Sequence, residues 1–193
     1  MDWCFYYDKL RFIGTIKKMK KIIFLLPLLT VLIVTSFLLI FLLQEKNSNK
    51  PPSALLNKDL PEFKIINLFN NNEFLKSSDI KKKQSIINFF ASWCSPCKEE
   101  HPLLIKLKNS HKNLLIIGIN HKDKKINAIK FINNEGNPYD FVGQDSDGKI
   151  GLEFGVFGLP ETFLTDRSGK IIFKQLGPLT DTIINNEIIP LLQ

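Results

Sequence analysis

The chain has 193 residues, 26 Lys/Arg against 19 Asp/Glu, a net charge of +7 and three cysteines. That length sets a prior of one folded domain with additions, and an odd cysteine count containing one close pair argues against a structural disulfide framework. The charge is uneven, +5 over residues 1–50 and +2 over residues 51–193, so the folded part lacks the clustered basic and aromatic residues a nucleic-acid groove needs, and nucleic acid is excluded as a partner.

Residues 1–21 read as a short cytoplasmic segment. Met19 opens MKKIIFLL, which looks like a natural start, and Cys4 reads as a thiol unrelated to the close pair. Residues 22–43 are 22 positions without a charge, where about 20 apolar residues suffice to cross a bilayer core as a helix. Pro27 lies near the start of this run, where a helix tolerates it best. Arg11, Lys17, Lys18, Lys20 and Lys21 precede the run, and only Glu45, Lys46 and Lys50 follow it closely. The positive-inside rule then predicts a cytoplasmic N-terminus and a C-terminal domain on the other side of the membrane. The run is longer than a signal-peptide core and has no small-residue cleavage pair at its exit, so an uncleaved single-pass anchor is expected.

Residues 44–59, polar and containing Pro51 and Pro52, read as a linker, and residues 60–193 as the domain. Apolar runs predict strands over residues 63–68, 85–90, 114–120 and 141–144. Helical spacing predicts helices over 95–109 and 124–134, with a short one over 149–154. Residues 162–165 and 171–175 flank Asp166-Arg167-Ser168-Gly169 and read as a hairpin, and 180–192 as a last helix. This order predicts an α/β fold with helices around a central sheet.

Trp93-Cys94-Ser95-Pro96-Cys97 follows the apolar strand 85–90 and opens a helix. Free N–H groups and the helix dipole at such a position favour an anion, and they lower a thiol's pKa from near 8.5 to about 7 or less. Cys94 is the expected exposed nucleophile and Cys97 the more buried resolving thiol. Pro96 suits the first turn, where its missing N–H costs nothing. The predicted chemistry is attack of the Cys94 thiolate on a substrate disulfide, then attack of Cys97 on Cys94 to release reduced product. No metal site is expected: a structural zinc wants four ligands, and His101, His111 and His121 form no convincing cluster. Copper(I) held between two thiolates, and a purely structural disulfide, stay open as rivals. Farther on, Leu159-Pro160 precedes a strand. Pro160 is either an edge proline or part of a cis Leu159–Pro160 bond that would expose the Leu159 backbone to an extended substrate.

The strand–WCxxC–helix unit followed by Gly-x-Pro resembles the thioredoxin superfamily. The fuller set resembles the DsbE/CcmG family of cytochrome c biogenesis thiol–disulfide interchange proteins: Lys50-Pro51-Pro52-Ser53-Ala54-Leu55, Asn88 to Cys97, Glu100-His101, Gly118 to Asp123, Gly136-Asn137-Pro138-Tyr139, and Gly155 to Phe163. This resemblance implies a thioredoxin-like fold without cofactor and a redox-active Cys94–Cys97 disulfide. It also implies a membrane-tethered periplasmic reductant of apocytochrome c CxxCH cysteines, or of a partner thiol protein, fed by a transmembrane thiol donor. It further implies an acidic cluster near the dithiol at Glu100, Asp123 and Glu161. The chain departs from the family at Ser95-Pro96 and at His121, where Tyr is common. Asn88 stands where thioredoxin has a buried proton-relay Asp, so Glu100 or Glu161 is expected to take that role, unless Glu100 is only a solvated helix-face carboxylate. If Glu100 faces the pair, it opposes thiolate formation and favours a reducing couple. A copper(I) carrier for oxidase assembly, a general periplasmic disulfide reductase or isomerase, and a thiol peroxidase remain alternatives.

Overall fold

The computed structural model describes residues 26–41, 55–81 and 83–192. The chain divides into two compact units, Met1–Asn49 and Lys50–Gln193. In the first, residues 26–41 form helix α1 with every side chain exposed. Its threonines return their hydroxyls to the backbone, Thr30 Oγ1 to Pro27 O at 2.8 Å and Thr35 Oγ1 to Val31 O at 2.9 Å. At a rise of about 1.5 Å per residue this helix spans roughly 24 Å, short of the ~30 Å hydrocarbon core. Accordingly, no described helix is long and apolar enough to cross a membrane. The predicted span of residues 22–43 is thus described only in its middle. Its ends, the basic residues before it, Cys4 and residues 44–54 lie outside the described residues.

The second unit runs β1 (Lys64–Asn67), β2 (Phe74–Lys76), α2 (Ser77–Ile80), β3 (Ser85–Phe90), α3 (Ser95–Ser110), β4 (Leu115–His121), α4 (Lys125–Glu135), β5 (Phe141–Asp145), α5 (Lys149–Glu153), β6 (Glu161–Thr165), β7 (Ile171–Leu176) and α6 (Asp181–Ile183). The seven strands form one mixed sheet in the order β2-β1-β5-β4-β3-β6-β7. The three inner strands β5, β4 and β3 are parallel, and the remaining pairings are antiparallel. The two crossovers carry α3 and α4. A thioredoxin-like α/β sandwich is what the predicted strand–helix alternation calls for.

The six residues of β3 are all buried because both faces of the sheet are covered. Ile86 and Phe90 point to a core shared with Leu104, Phe131, Ile184 and Ile188 of the helical layer. Ile87 and Phe89 point to the opposite core, with Ile80, Phe154 and Phe163. Asn88 sits on the first face, level with Gly118 of β4 and Thr162 of β6.

Two expectations change. The short β2 and α2 fall in residues 69–84, a polar stretch with no apolar period to announce them. The last helix is not continuous: α6 runs into a π-turn (Ile184–Ile188) and a 3-10 turn (Ile189–Leu191). Pro190 has no N–H to give an α-helical bond and cannot continue the coil.

Gly118 has a steric reason to be glycine: a Cβ there would lie 2.9 Å from three atoms of the Tyr139 ring. Gly118→Ala should cost about 1–3 kcal/mol as an overpacking change, read as a lower urea midpoint at unchanged m-value. A midpoint equal to that of the parent protein would mean that the Tyr139 ring is not packed on β4.

Candidate redox site

The turn Ala91–Trp93 leads from β3 into α3, and Cys94 is the residue that caps the helix. Cys94 Sγ accepts from Cys97 N at 3.2 Å and is bonded to Cys97 Sγ, with the Cα atoms 5.3 Å apart. In the dithiol state the same free N–H groups and the helix dipole face a Cys94 thiolate. Pro96 occupies the first turn, where it forfeits no bond. Cys94 is 4% exposed and Cys97 2%, so the oxidised pair shows only an edge, unlike the open nucleophile expected. Packing against the apolar core of the α3 face encloses both sulfurs.

Asp123 braces the turn before the disulfide. Its Oδ2 accepts from Ser92 N at 2.7 Å and Asn120 Nδ2 at 3.0 Å, and its Oδ1 accepts from Ser92 Oγ at 3.0 Å and Lys124 N at 2.7 Å. Trp93 is 63% exposed and donates from Nε1 to Lys122 O at 3.3 Å. Asp123 and Trp93 therefore tie the redox turn to the β4–α4 connection.

Behind the pair lies a buried polar network. Glu100 follows Cys97 by one helical turn on the same buried face of α3. Its Oε1 accepts from Asn88 Nδ2 at 2.8 Å, and its Oε2 accepts from Leu179 N at 2.7 Å. Asn88 Nδ2 also donates to Thr162 Oγ1 at 3.0 Å, and Asn88 Oδ1 accepts from Tyr139 OH at 2.8 Å. Burial pushes the Glu100 carboxyl up to about 7, against the Leu179 and Asn88 hydrogen bonds that pull it down. Burial, with the Glu100 charge nearby, likewise raises the Tyr139 hydroxyl well above its ordinary value, so it stays a neutral donor. Glu100 is therefore not a solvated helix-face carboxylate.

Glu161 is placed elsewhere. It shares a strand face with Phe163, on the side of the sheet away from Glu100. Its Oε1 accepts from Phe157 N at 2.8 Å and Gly158 N at 3.3 Å, and Lys174 Nζ lies 3.0 Å from Oε2. Although that oxygen lacks a well-aligned hydrogen bond, the contact is a close ion pair in a buried setting. Lys174 also donates to Gly155 O at 3.0 Å. Together the pair closes the Gly155–Gly158 loop ahead of Leu159–Pro160, whose peptide bond is cis. Because Glu161 is paired with Phe89 across the sheet, Pro160 lies level with the end of β3 and the start of the redox turn. Leu159 packs at the junction of both cores.

Two of the three histidines are committed, while His111 Nδ1 is buried without a hydrogen-bond partner. His101 Nε2 donates to Gly136 O at 2.8 Å, and burial holds its pKa below the ordinary value. His121 Nδ1 lies 2.7 Å from Asp145 Oδ2, and Asp145 also accepts from Ile150 N and Gly151 N. Burial alone would raise Asp145, but these three partners hold its pKa below the usual carboxylate range. Among the described residues, no three His, Cys, Asp or Glu side chains converge to hold a metal. Tyr139 and Thr162 lie in motifs that carry the family resemblance but have no site role in the sequence reading, and Lys174 has none either. Strand register brings Thr162 and Lys174 to the site, and Tyr139, just ahead of β5, reaches it by packing its ring on Gly118.

Residues 56–188 match the redoxin family. The chain is 40% identical over 152 residues to the thiol:disulfide interchange protein HelX of Rhodobacter capsulatus, covering 79% of this chain and 85% of HelX. It is 38% identical over 175 residues to the thiol:disulfide interchange protein DsbE of Pseudomonas aeruginosa, covering 91% and 95%. Its fold is similar to the thioredoxin domain of a thiol-disulfide oxidoreductase from Bacteroides vulgatus, with a TM-score of 0.62 at 23% identity, covering 72% of this chain and 98% of that one.

A carboxyl whose folded pKa lies above its unfolded value stabilises the fold fully below the unfolded value and loses that contribution as pH rises through the folded one. For Glu100 the window runs from 4.5 to about 7. Glu100→Gln should flatten the fall in unfolding free energy across that window, a difference on the order of 3 kcal/mol, measured by urea titration at several pH values. An unaltered slope would place the carboxyl outside the buried network.

Proposed function

The chain belongs to the redoxin family, among the thiol:disulfide interchange proteins of the DsbE, HelX and CycY type, and from that premise we propose that it is a membrane-anchored periplasmic reductant serving cytochrome c maturation. Thiol–disulfide interchange is the activity of the family. The anchor, the direction of electron flow and the client are this proposal. The observation that carries it is the Cys94–Cys97 pair at the start of α3 with an ionisable carboxyl buried one turn behind it.

The reduced Cys94 thiolate attacks one sulfur of a client disulfide, forming the Cys94–client bond and releasing the other client sulfur as a thiolate. Cys97 gives its proton to the Glu100 carboxylate and attacks Cys94 Sγ. The Cys94–Cys97 bond forms, the mixed disulfide breaks, and the client leaves fully reduced by two electrons. A transmembrane thiol donor then returns the pair to the dithiol. A Glu100 pKa of about 7 suits both taking and returning that proton near neutral pH. A buried carboxylate beside Cys97 also opposes a second negative charge there, which favours a reducing couple. Trp93, Leu159 and the Gly155–Gly158 loop frame the face on which an extended CxxCH segment would lie. The anchor is supported by the uncharged run over residues 22–43 and by α1, whose apolar side chains are all exposed and whose threonine hydroxyls are satisfied internally.

Residues 50–193, equilibrated in glutathione or dithiothreitol buffers, should show a potential near or below the roughly −270 mV of thioredoxin. A value near the −120 mV of strong oxidants would reverse the direction of flow. In single turnover, Glu100→Gln should slow resolution of the mixed disulfide by about 10²-fold and remove the pH step near 7, whereas Glu161→Gln should keep that step. Retention of the step in the Glu100 variant would remove Glu100 from proton transfer.

A further inference from the structure

The end of the sheet opposite the disulfide carries a concentration of positive charge that the redox chemistry does not use. Lys83, Lys108, Lys112 and Arg167 line an open cavity of about 710 Å³ there, between the start of β3, the end of α3 and the β6–β7 turn. Lys81 extends this surface, its side chain lying against Gly169 of the same turn, and Lys170 is exposed beside it. Two of the acids at this end are engaged, while Asp59 is exposed beside Lys170. Both Asp140 oxygens receive Lys108 Nζ, at 2.7 and 2.6 Å, and Asp166 Oδ1 accepts from Ser168 N, Ser168 Oγ and Lys170 N. The exposed cations Lys81, Lys83, Lys112 and Lys170 are left facing solvent together.

A second observation gives this surface a direction. The chain enters the domain at the same end: Asn57 N donates to Ile171 O at 2.8 Å, Leu60 N donates to Gly169 O at 2.9 Å, and Asp59 forms a bridge with Lys170. Residues 57–60, at the N-terminal edge of the domain, are therefore fixed beside the cationic cavity. We infer that this end of the domain docks on the anionic phospholipid headgroups of the membrane in which the chain is anchored, with the cavity seating headgroup phosphates. The inference rests on the anchored reading above. Where this end meets the surface, its lysines lie within a Debye length of the headgroups, about 8 Å at physiological salt, so the attraction is only partly screened. Cys94 opens α3 and Lys112 lies just beyond its end. At about 1.5 Å per residue, the 16 residues of α3 separate them by roughly 24 Å. Docking thus turns the disulfide face away from the lipid, toward clients and donor domains that project from the membrane.

The full chain, reconstituted in nanodiscs of phosphatidylcholine alone or of phosphatidylcholine with phosphatidylglycerol, is treated with an amine-acylating reagent, and each lysine is read by mass spectrometry. Acylation of Lys83, Lys112 and Lys170 is expected to slow severalfold in the anionic discs, and to recover near 1 M salt, where the Debye length is about 3 Å. Lys149, near the redox end, should react equally in both discs. Lys83→Gln with Lys112→Gln should bring acylation of Lys170 in the anionic discs close to its rate in phosphatidylcholine alone, since each charge removed weakens surface attachment roughly fivefold. Carbonate extraction tests the anchor separately. A chain released by carbonate overturns both readings, since nothing then tethers this end to lipid. A chain that stays integral but shows no lipid-dependent protection overturns the docking alone. Equal protection by inorganic phosphate in phosphatidylcholine discs also overturns it, making the cavity a site for free anions.

Discussion

A carboxyl group buried against an apolar core has to be hydrogen-bonded, protonated, or both, and Glu100 imposes that condition on everything around the redox helix. It cannot give up its bonds from Asn88 and Leu179 without leaving an unpaired polar group in the interior. Asn88 must then face α3 from the middle of β3, which requires Thr162 beside it and Tyr139 above it. Tyr139 in turn requires Gly118. One ionisable group thus links α3, three strands of the sheet, the segment before β5 and the segment before α6. Asn88 is an apt choice for the central position. Its amide presents a donor to the carboxylate and an acceptor to the tyrosine, and it adds no second charge to a site that already holds one.

The other two acids expected near the dithiol do different work. Asp123 satisfies the backbone and side chain of Ser92 and so braces the approach to Cys94. Glu161 and Lys174 close the loop before Pro160 from the opposite face of the sheet. These carboxylates are consumed by structure, whereas Glu100 is the acid whose carboxyl burial raises to about 7. The division follows from strand geometry. Alternate residues of a strand point to opposite faces, so Thr162 joins the network under α3 while its neighbour Glu161 cannot.

If the basic end of the sheet sits on lipid, the domain is polarised along its length, with attachment and charge at one end and chemistry at the other. The parallel strands β3 and β4 make this possible. Their C-terminal ends lead into the redox turn and the Asp123 connection, while their N-terminal ends meet the cationic cavity.

Local pattern carried much of this protein. The apolar runs of β3 and β4, the apolar spacing of α3 and α4, and the turn at Asp166–Gly169 were legible because burial on a sheet or helix imposes its own period over a few residues. The cysteine pair at a helix start was legible because capping chemistry is equally local. The short β2 and α2 carry too few buried side chains to leave a period, and Pro190 broke a helix that apolar spacing alone continued. Which acid would stand behind Cys97 was beyond the sequence, which offered Glu100 and Glu161 on equal terms. Only the antiparallel pairing of β6 with β3 turned Glu161 to the far face, and only the packing of α3 over Asn88 buried Glu100 and raised its pKa. Register and packing join residues far apart in the chain, and nothing local records them.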